Sequence, residues 1–272
     1  MIFPVRPQSS RRPALRVKSG VAALAMAAAL GLGGCAQPQS ATDPMITGAI
    51  ANPVTPDDFQ KAAAYWGQRY QANTKDRDAA LNYGTAEQRL GDTATAVSVL
   101  QVASVVHPGD RDILAALGKA YAASGDLEQA LATIRQAEDP DKPDWKLASA
   151  EAAILDQMGN HDDARKLYAR AQALAPNEPS IASNFGMSYM LTGDLAKAET
   201  LLRQAVAMAG ADSRVRQNLA LVVGLEGRFD EAQKIAAAEL PPDEAAANIA
   251  YLKQMLGEQD VWKKLKGGGS TG

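Results

Sequence analysis

The sequence predicts an all-α solenoid, in which antiparallel helix pairs stack side by side along one axis. Five glycines recur every 34 residues without a shift in spacing, and five alanines follow in the same register. They are Gly91, Gly125, Gly159, Gly193 and Gly227, then Ala96, Ala130, Ala164, Ala198 and Ala232. A constant period of about 20 to 50 residues is typical of repeat architectures, in which each unit packs only on its neighbours.

Each period has the features of a helix, a turn and a second helix. A large and a small residue are adjacent in the first helix, as in Leu117-Gly118 and Phe185-Gly186. The periodic glycine accepts the left-handed backbone that ends this helix. Bulky residues follow the periodic alanine one turn later in four of the repeats. A unit of this length and pattern is the tetratricopeptide repeat. The predicted repeats are residues 77–110, 111–144, 145–178, 179–212 and 213–246.

Capping helices are predicted at both ends of the solenoid, which spans residues 57–265. Residues 56–73 have the pattern of a lone second helix, with Ala62 and Trp66 in register with Ala96 and Leu100. After the last repeat, residues 244–256 predict a helix and residues 260–265 a short closing turn. Residues 266–272 are rich in glycine but follow no predicted strand, so they indicate a disordered tail and not a phosphate-binding loop.

The first 34 residues have the features of a bacterial export signal. Five basic residues precede an apolar stretch from Val21 to Leu30, which is too short to cross a bilayer core of about 30 Å. The stretch ends in Leu32-Gly33-Gly34-Cys35, which resembles the lipobox of bacterial lipoproteins. This resemblance implies that the Cys35 thiol accepts a diacylglycerol and becomes the first residue of the mature protein.

A tether and an acidic charge follow from this interpretation. Residues 35–56 are rich in Pro, Ser, Thr and Ala, which is typical of a flexible linker. Removal of residues 1–34 leaves 23 basic against 31 acidic residues, so the formal charge changes from −3 to −8. Such a chain is a poor candidate for binding nucleic acid or anionic lipid. We therefore expect contact with the membrane through the lipid anchor alone, and Ala36 weakly favours the outer membrane.

No catalytic, metal or cofactor site is predicted. The two histidines, His107 and His161, fall at different repeat positions, and both are predicted to be surface residues. A metal or nucleophilic site needs further ligands or a nucleophile nearby, and the only cysteine is assigned to the lipobox. No Ser-His-Asp arrangement or glycine-rich nucleotide motif is evident, so the sequence favours a binding protein over an enzyme.

A partner is expected in the concave groove, which the first helices of tetratricopeptide repeats line with positions 2, 5, 6, 9 and 12. Position 6 holds Asn82, Asn184 and Asn218, which predict an exposed asparagine ladder for an extended peptide. Tolerated surface residues are an equally good interpretation, since Ala116 and Ala150 interrupt the ladder. Other predicted groove residues are polar or basic (Lys119, Lys146, Arg214, Gln217) or form an apolar floor (Met187, Met190, Leu221).

Several segments carry a more specific resemblance. They are Tyr65 to Tyr70 (YWGQRY), Pro143 to Lys146 (PDWK), Ala175 to Ser180 (APNEPS), Ala211 to Ala220 (ADSRVRQNLA) and Asn248 to Leu252 (NIAYL). Together with the lipobox, these segments resemble the TadD lipoproteins of tight-adherence (Flp) pilus systems, over nearly all of the chain from Phe59 to Leu265.

This resemblance implies an outer-membrane lipoprotein that helps to assemble the pilus export machinery, for example by placing its secretin as pilotins do. The expected partner is then the secretin or another pilus-secretion component. A general envelope adaptor that organises cell-wall enzymes is the alternative. An enzyme that carries a repeat module is a third, but it would require a second domain.

Overall fold

The computed structural model describes residues 55–267, which form twelve α-helices joined by short turns, with no strand in this part of the chain. The predicted signal segment, Cys35, most of the tether and residues 268–272 lie outside the described residues. The helices are α1 (Pro56–Ala72), α2 (Arg77–Leu90), α3 (Thr93–Val106), α4 (Arg111–Ser124), α5 (Leu127–Ala137), α6 (Trp145–Gln157), α7 (His161–Leu174), α8 (Pro179–Leu191), α9 (Leu195–Ala207), α10 (Ser213–Leu225), α11 (Phe229–Ala237) and α12 (Pro242–Gly267).

The periodic glycines end the first helices, as predicted. All five have a left-handed backbone, with φ between 82° and 88°. Three of the following residues, Asp92, Asp126 and Asp194, cap the second helix by accepting a hydrogen bond from a backbone amide of its first turn. The turn therefore ends one helix and starts the next within two residues.

Small residues let the two helices of a repeat approach closely. A Cβ atom at Gly84 would lie 2.6 Å from Leu100 Cγ, and one at Gly118 would lie 2.7 Å from Ile134 Cγ1. Both partner side chains are fully buried, as are all five periodic alanines. The predicted large and small positions are therefore the interlocking surface of each repeat.

The first helices also contact one another along the stack. Successive first helices α2, α4, α6, α8 and α10 make contacts in sequence, and α10 contacts α12. Among the described second helices, no such contact joins one to the next. Because the first helices lie closer together, the repeats curve towards them, and their free faces line the inner surface.

The C-terminal cap differs from the prediction. Helix α12 is continuous over 26 residues, so the closing turn predicted at residues 260–265 is wrong, and Lys266 and Gly267 belong to the helix and not to the tail. The preceding second helix, α11, has nine residues, whereas the second helices of the other four repeats have 11 to 14. Pro242 then starts α12, since proline at the first position of a helix loses no hydrogen bond.

An ion-pair network joins the fourth and fifth repeats. Glu199 of α9 accepts hydrogen bonds from Arg203 and from Arg228, which precedes α11. The hydrogen bond from Arg228 is the main cause that lowers the pKa of Glu199 to about 2, against the opposing effect of burial. A lowered pKa means that Glu199 stabilises the fold above its ordinary pKa and that this contribution is lost as the pH falls towards 2.

We expect Glu199→Gln to lower the free energy of unfolding by about 1 kcal/mol at pH 7, because the arginines lose a charged partner at a partly exposed site. The difference from the native protein should disappear near pH 2. Urea unfolding at several pH values measures this, with Glu128→Gln, an exposed glutamate of α5, as the control. A difference that persists unchanged at pH 2 would contradict the assignment.

Candidate functional site

A small cleft on the inner surface brings together side chains from three successive first helices. We call it the central cleft; it is lined by Lys119 of α4, by Trp145, Lys146, Ser149 and Ala150 of α6, and by Ser180 and Asn184 of α8. Three of the predicted groove residues, Lys119, Lys146 and Asn184, thus converge although they are distant in sequence. The repeat places them at positions 9, 2 and 6 of neighbouring helices.

Helix geometry explains why these side chains share a face. Residues three and four apart lie on the same side of a helix, which aligns Lys146 with Ser149 and Ala150, and Ser180 with Asn184. The sequence analysis did not name Ser149 or Ser180. Both occupy groove positions, 5 and 2, so a search of those positions for every polar residue would have found them.

The central cleft is positively charged and partly apolar. Its lining contains two lysines and no acidic residue. The Lys146 ammonium lies 5.9 Å from the centre of the Trp145 ring, within the range of a cation–π contact. Ala150 is only 1% exposed and lies at the base of the cleft. This combination suits an anionic group, such as a carboxylate, that is attached to an extended chain.

The predicted asparagine ladder is wrong in one respect, because the three side chains are not equally exposed. Asn184 is only 7% exposed. The amide of Asn218 donates to Ser183 Oγ at 3.0 Å, and the amide of the exposed Asn82 donates to the Asp78 carbonyl at 2.8 Å. Asn184 therefore forms part of the base of the central cleft, while the amide groups of Asn82 and Asn218 make bonds within the protein.

The remaining predicted groove residues do not line the central cleft. Met187 is 6% exposed and packs in the core with Leu219 and Val222, so its prediction as part of an adaptable floor is wrong. Leu221 lies half-buried at the edge of the same cluster. Arg214 has its guanidinium 3.7 Å from the Asp212 carboxylate, and Gln217 donates to Ser213 Oγ at 2.9 Å.

Family models identify the repeats independently of their period. Two models described as tetratricopeptide repeat match residues 88–154 and 149–214. The chain is a tetratricopeptide-repeat protein. A search of curated proteins found no significant match to its sequence. Tetratricopeptide-repeat proteins bind peptides or proteins in their concave groove and are typically non-enzymatic scaffolds, so the central cleft lies on the face that such proteins use.

Solved structures agree with the fold of this tetratricopeptide-repeat protein. A thermophilic repeat protein of Thermus thermophilus is 22% identical, with a TM-score of 0.56 over 61% of this chain and 91% of that one. A repeat protein of Parabacteroides merdae is 14% identical, with a TM-score of 0.63 over 73% and 78%. The pilF protein of Pseudomonas aeruginosa is 17% identical, with a TM-score of 0.52 over 71% and 93%. At these identities the similarity shows the fold alone.

Two further properties concern residues 55–267 of the tetratricopeptide-repeat protein. Within that range, no helix has the length and apolar content needed to cross a membrane. The same part of the chain contains no cluster of three or more histidine, cysteine or acidic residues that could hold a metal ion.

A buried polar cluster connects the third and fourth repeats. The Asp156 carboxylate at the end of α6 is buried, and its Oδ1 atom lies 2.9 Å from both His161 Nδ1 and Ser188 Oγ. His161 is thus partly exposed, with 27% of its side-chain surface accessible, and is hydrogen-bonded to Asp156. The serine donates to the aspartate and not to the histidine, so the cluster lacks the nucleophile–base bond of a catalytic triad.

We expect Asp156→Asn to raise the free energy of unfolding at pH 7, because the Asp156 carboxylate is buried and asparagine is uncharged. Burial is the main cause that raises the pKa of Asp156, against hydrogen bonds from His161 and Ser188. A raised pKa means that the favourable contribution of this group is present at low pH and is lost as the pH rises through the folded-state value. Asparagine keeps an acceptor oxygen and carries no charge.

Asp156→Ala is the matched comparison, because it removes the acceptor and leaves two polar groups unsatisfied, at a cost of about 1–3 kcal/mol. Denaturant unfolding of both variants between pH 3 and pH 8 measures the difference. An Asn variant that is as destabilised as the Ala variant would show that the carboxylate charge itself holds the two repeats together.

Proposed function

We propose that this protein is a non-enzymatic scaffold that holds a segment of another polypeptide along the inner surface of its repeats. The observation that carries this proposal is the central cleft, where Lys119, Lys146 and Asn184 converge from three repeats. The two ammonium groups select an anionic feature of the partner. Ser149 adds a hydroxyl group and Trp145 an aromatic surface beside them.

The specific role that we propose is assembly of the Flp/Tad pilus, with the secretin or another component of its export machinery as the partner. Support comes from the segments that resemble TadD lipoproteins, above all Tyr65 to Tyr70 and Ala211 to Ala220. A scaffold without chemistry of its own suits the positioning of a large membrane pore.

Attachment to the periplasmic face of the outer membrane through a lipid on Cys35 completes the proposal. The sequence Leu32-Gly33-Gly34-Cys35 supports it, as does the tether that separates this cysteine from α1. Two acyl chains on the cysteine, with a third on its amino group, anchor a protein stably, because a single chain gives only marginal membrane binding.

We expect Cys35→Ser to leave the protein folded but no longer extracted with outer-membrane lipids. Serine has no thiol to accept the diacylglycerol. Density-gradient fractionation of cell envelopes measures the location, and circular dichroism of the purified variant checks the fold. If the variant fractionates with the outer membrane like the native protein, anchoring through Cys35 is wrong.

The pilus role is tested by deleting the gene in the source bacterium and complementing it with the native or the Cys35→Ser protein. We expect deletion to abolish surface pili and to reduce secretin multimers in the outer membrane, with recovery only by the native protein. Normal pili together with mislocalised cell-wall enzymes would favour the envelope-adaptor alternative.

A further inference from the structure

The two ends of the solenoid are half repeats of opposite type. Helix α1 corresponds to a second helix, since Ala62 and Trp66 lie 34 residues before Ala96 and Leu100, and no first helix precedes it among the described residues. Helix α12 corresponds to a first helix, and no second helix follows it within residues 55–267. The sequence Asn248-Ile249-Ala250 of α12 matches Asn218-Leu219-Ala220 of α10 at a spacing of 30 residues. This spacing is shorter than the usual 34 because α11 is about one turn shorter than the other second helices.

Burial within α12 supports this register. Its inward-facing residues Ala245, Ile249 and Leu252 are at most 5% exposed. The residues 30 positions earlier, Val215, Leu219 and Val222, are buried in the same way. Helix α12 therefore docks on the fifth repeat as every other first helix docks on the repeat before it.

The face of α12 that would receive a second helix is uncovered. Ala250 occupies the position at which all five repeats have glycine or alanine, such as Gly186 in the fourth repeat. Ala246 occupies the position of Ala182, which packs with Ala205 of the second helix. Ala182 and Gly186 are buried, whereas Ala246 and Ala250 are exposed. In the described part of the chain, these small residues form a helix-packing surface on which no helix lies.

Helix α1 has the reciprocal surface. In four complete repeats the position of Trp66 holds a fully buried side chain: Leu100, Ile134, Tyr168 or Leu202. Trp66 is only half-buried, with the Arg69 guanidinium 5.3 Å above its ring. The third repeat shows that a large aromatic side chain fits opposite alanine, since Tyr168 and Ala152, the residues equivalent to Trp66 and Ala250, pack in one cluster.

We propose that α12 of one copy packs against α1 of a second copy, so that the two half repeats form one complete repeat across the contact. The partner surface is specified by the repeat itself, because each half supplies the type of helix that the other lacks. The proposed contact has the same geometry as the packing between the two helices of each of the five repeats.

The charges at the ends of the two helices are complementary in this arrangement. The helices of a repeat run antiparallel, so the start of α1, with Asp57 and Asp58, would face Lys253 near the end of the packed part of α12. The end of α1, with Arg69, would face Asp243 and Glu244 at the start of α12. Within the chain, Asp57 pairs with Lys61, and Arg69 pairs with Asp76. The Lys253 ammonium lies over the Phe229 ring. These charged groups therefore already take part in ion pairs or ring contacts at the surface of a single copy.

The association is heterologous, because the contacting surfaces are the two different ends of the molecule. A contact of this kind leaves one free α1 and one free α12 in every assembly, so further copies can add. A row of copies would extend the inner groove beyond the five repeats of a single chain.

Disulfide trapping tests the register of the contact. In four repeats, the residue equivalent to Arg69 and the residue equivalent to Ala246 pack in the same hydrophobic cluster. These pairs are Ala103 with Ala80, Ala137 with Leu114, Ala171 with Ala148 and Ala205 with Ala182. Two differently tagged copies of the full chain, both with Cys35→Ser, are mixed, one with Arg69→Cys and the other with Ala246→Cys. We expect a mixed disulfide upon mild oxidation, and none when Gln68→Cys replaces Arg69→Cys.

Sedimentation of the full chain tests the same contact without cross-linking. We expect the mean mass to rise with concentration, Ala250→Arg to abolish that rise at an unchanged melting temperature, and Ala247→Arg, on another exposed face of α12, to leave it intact. The proposal is overturned by a monomer at every concentration or by Ala246→Cys copies that cross-link only to each other. It is also overturned if Ala250→Arg lowers the melting temperature, because Ala250 would then be covered within its own chain.

Discussion

Ile134→Ala is expected to lower the free energy of unfolding by about 2–5 kcal/mol. Ile134 of α5 is fully buried and belongs to one cluster with Leu114 of α4 and with Leu147 and Ile154 of α6. It therefore fills the space both within the second repeat and between the second and third repeats. Urea or thermal unfolding followed by circular dichroism measures the loss.

The matched control for this truncation is Val105→Ala, which also shortens an aliphatic side chain on a second helix. Val105 is 81% exposed, so the change in stability should stay within about 0.5 kcal/mol.

Gly118→Ala tests the close contact between the two helices of the second repeat, because its Cβ would meet Ile134. The double variant Gly118→Ala, Ile134→Ala should be more stable than the sum of the two single effects predicts; strict additivity would contradict the close contact.

Reversing the charge of the central cleft with Lys119→Glu and Lys146→Glu is expected to reduce partner capture about tenfold or more. An anionic group of the partner would then face two carboxylates, and like charges at a contact cost several kcal/mol. Capture is measured in cells with an aromatic photo-crosslinking residue in place of Trp145, a half-buried residue in the lining of the cleft, by comparing the amount of cross-linked product.

The control for this variant carries the same total change of charge on second helices, outside the cleft. Lys166 of α7 and Lys234 of α11 are both exposed, so Lys166→Glu with Lys234→Glu should leave the cross-linked product unchanged. Equal losses in the two double variants would mean that overall charge governs capture and not the central cleft. Equal yields from the native protein and the Lys119/Lys146 variant would remove the basis for an anionic partner.

The repeat architecture could be predicted from the sequence because the constraints on it are local and recur five times. A left-handed backbone requires glycine at Gly125, and a close helix approach requires a small residue at Gly118, so each repeat carries the same residues at the same spacing. The short length of α11 could not be predicted from the periodic glycines, because their spacing stays the same when the last second helix ends early.

The candidate site could be predicted only in part. The groove positions predicted that Lys119, Lys146 and Asn184 share one face, because position within the repeat determines which face a side chain occupies, and the three residues line one cleft. Depth within the groove depends on the residues of adjacent repeats. The bond from Asn218 to Ser183 and the burial of Met187 against Leu219 both arise between repeats, which a pattern within one repeat does not contain.

Identification of the captured polypeptide is the measurement that tests the central claim most directly. The lipidated, tagged protein is enriched from cross-linked cells beside its Lys119/Lys146 double variant, and the bound proteins are identified by mass spectrometry. We predict that the secretin or another pilus-export component is enriched with the native protein and lost with the variant. Enrichment of cell-wall synthases or hydrolases without any pilus component would contradict the pilus role, and equal enrichment by both proteins would contradict the role of the central cleft.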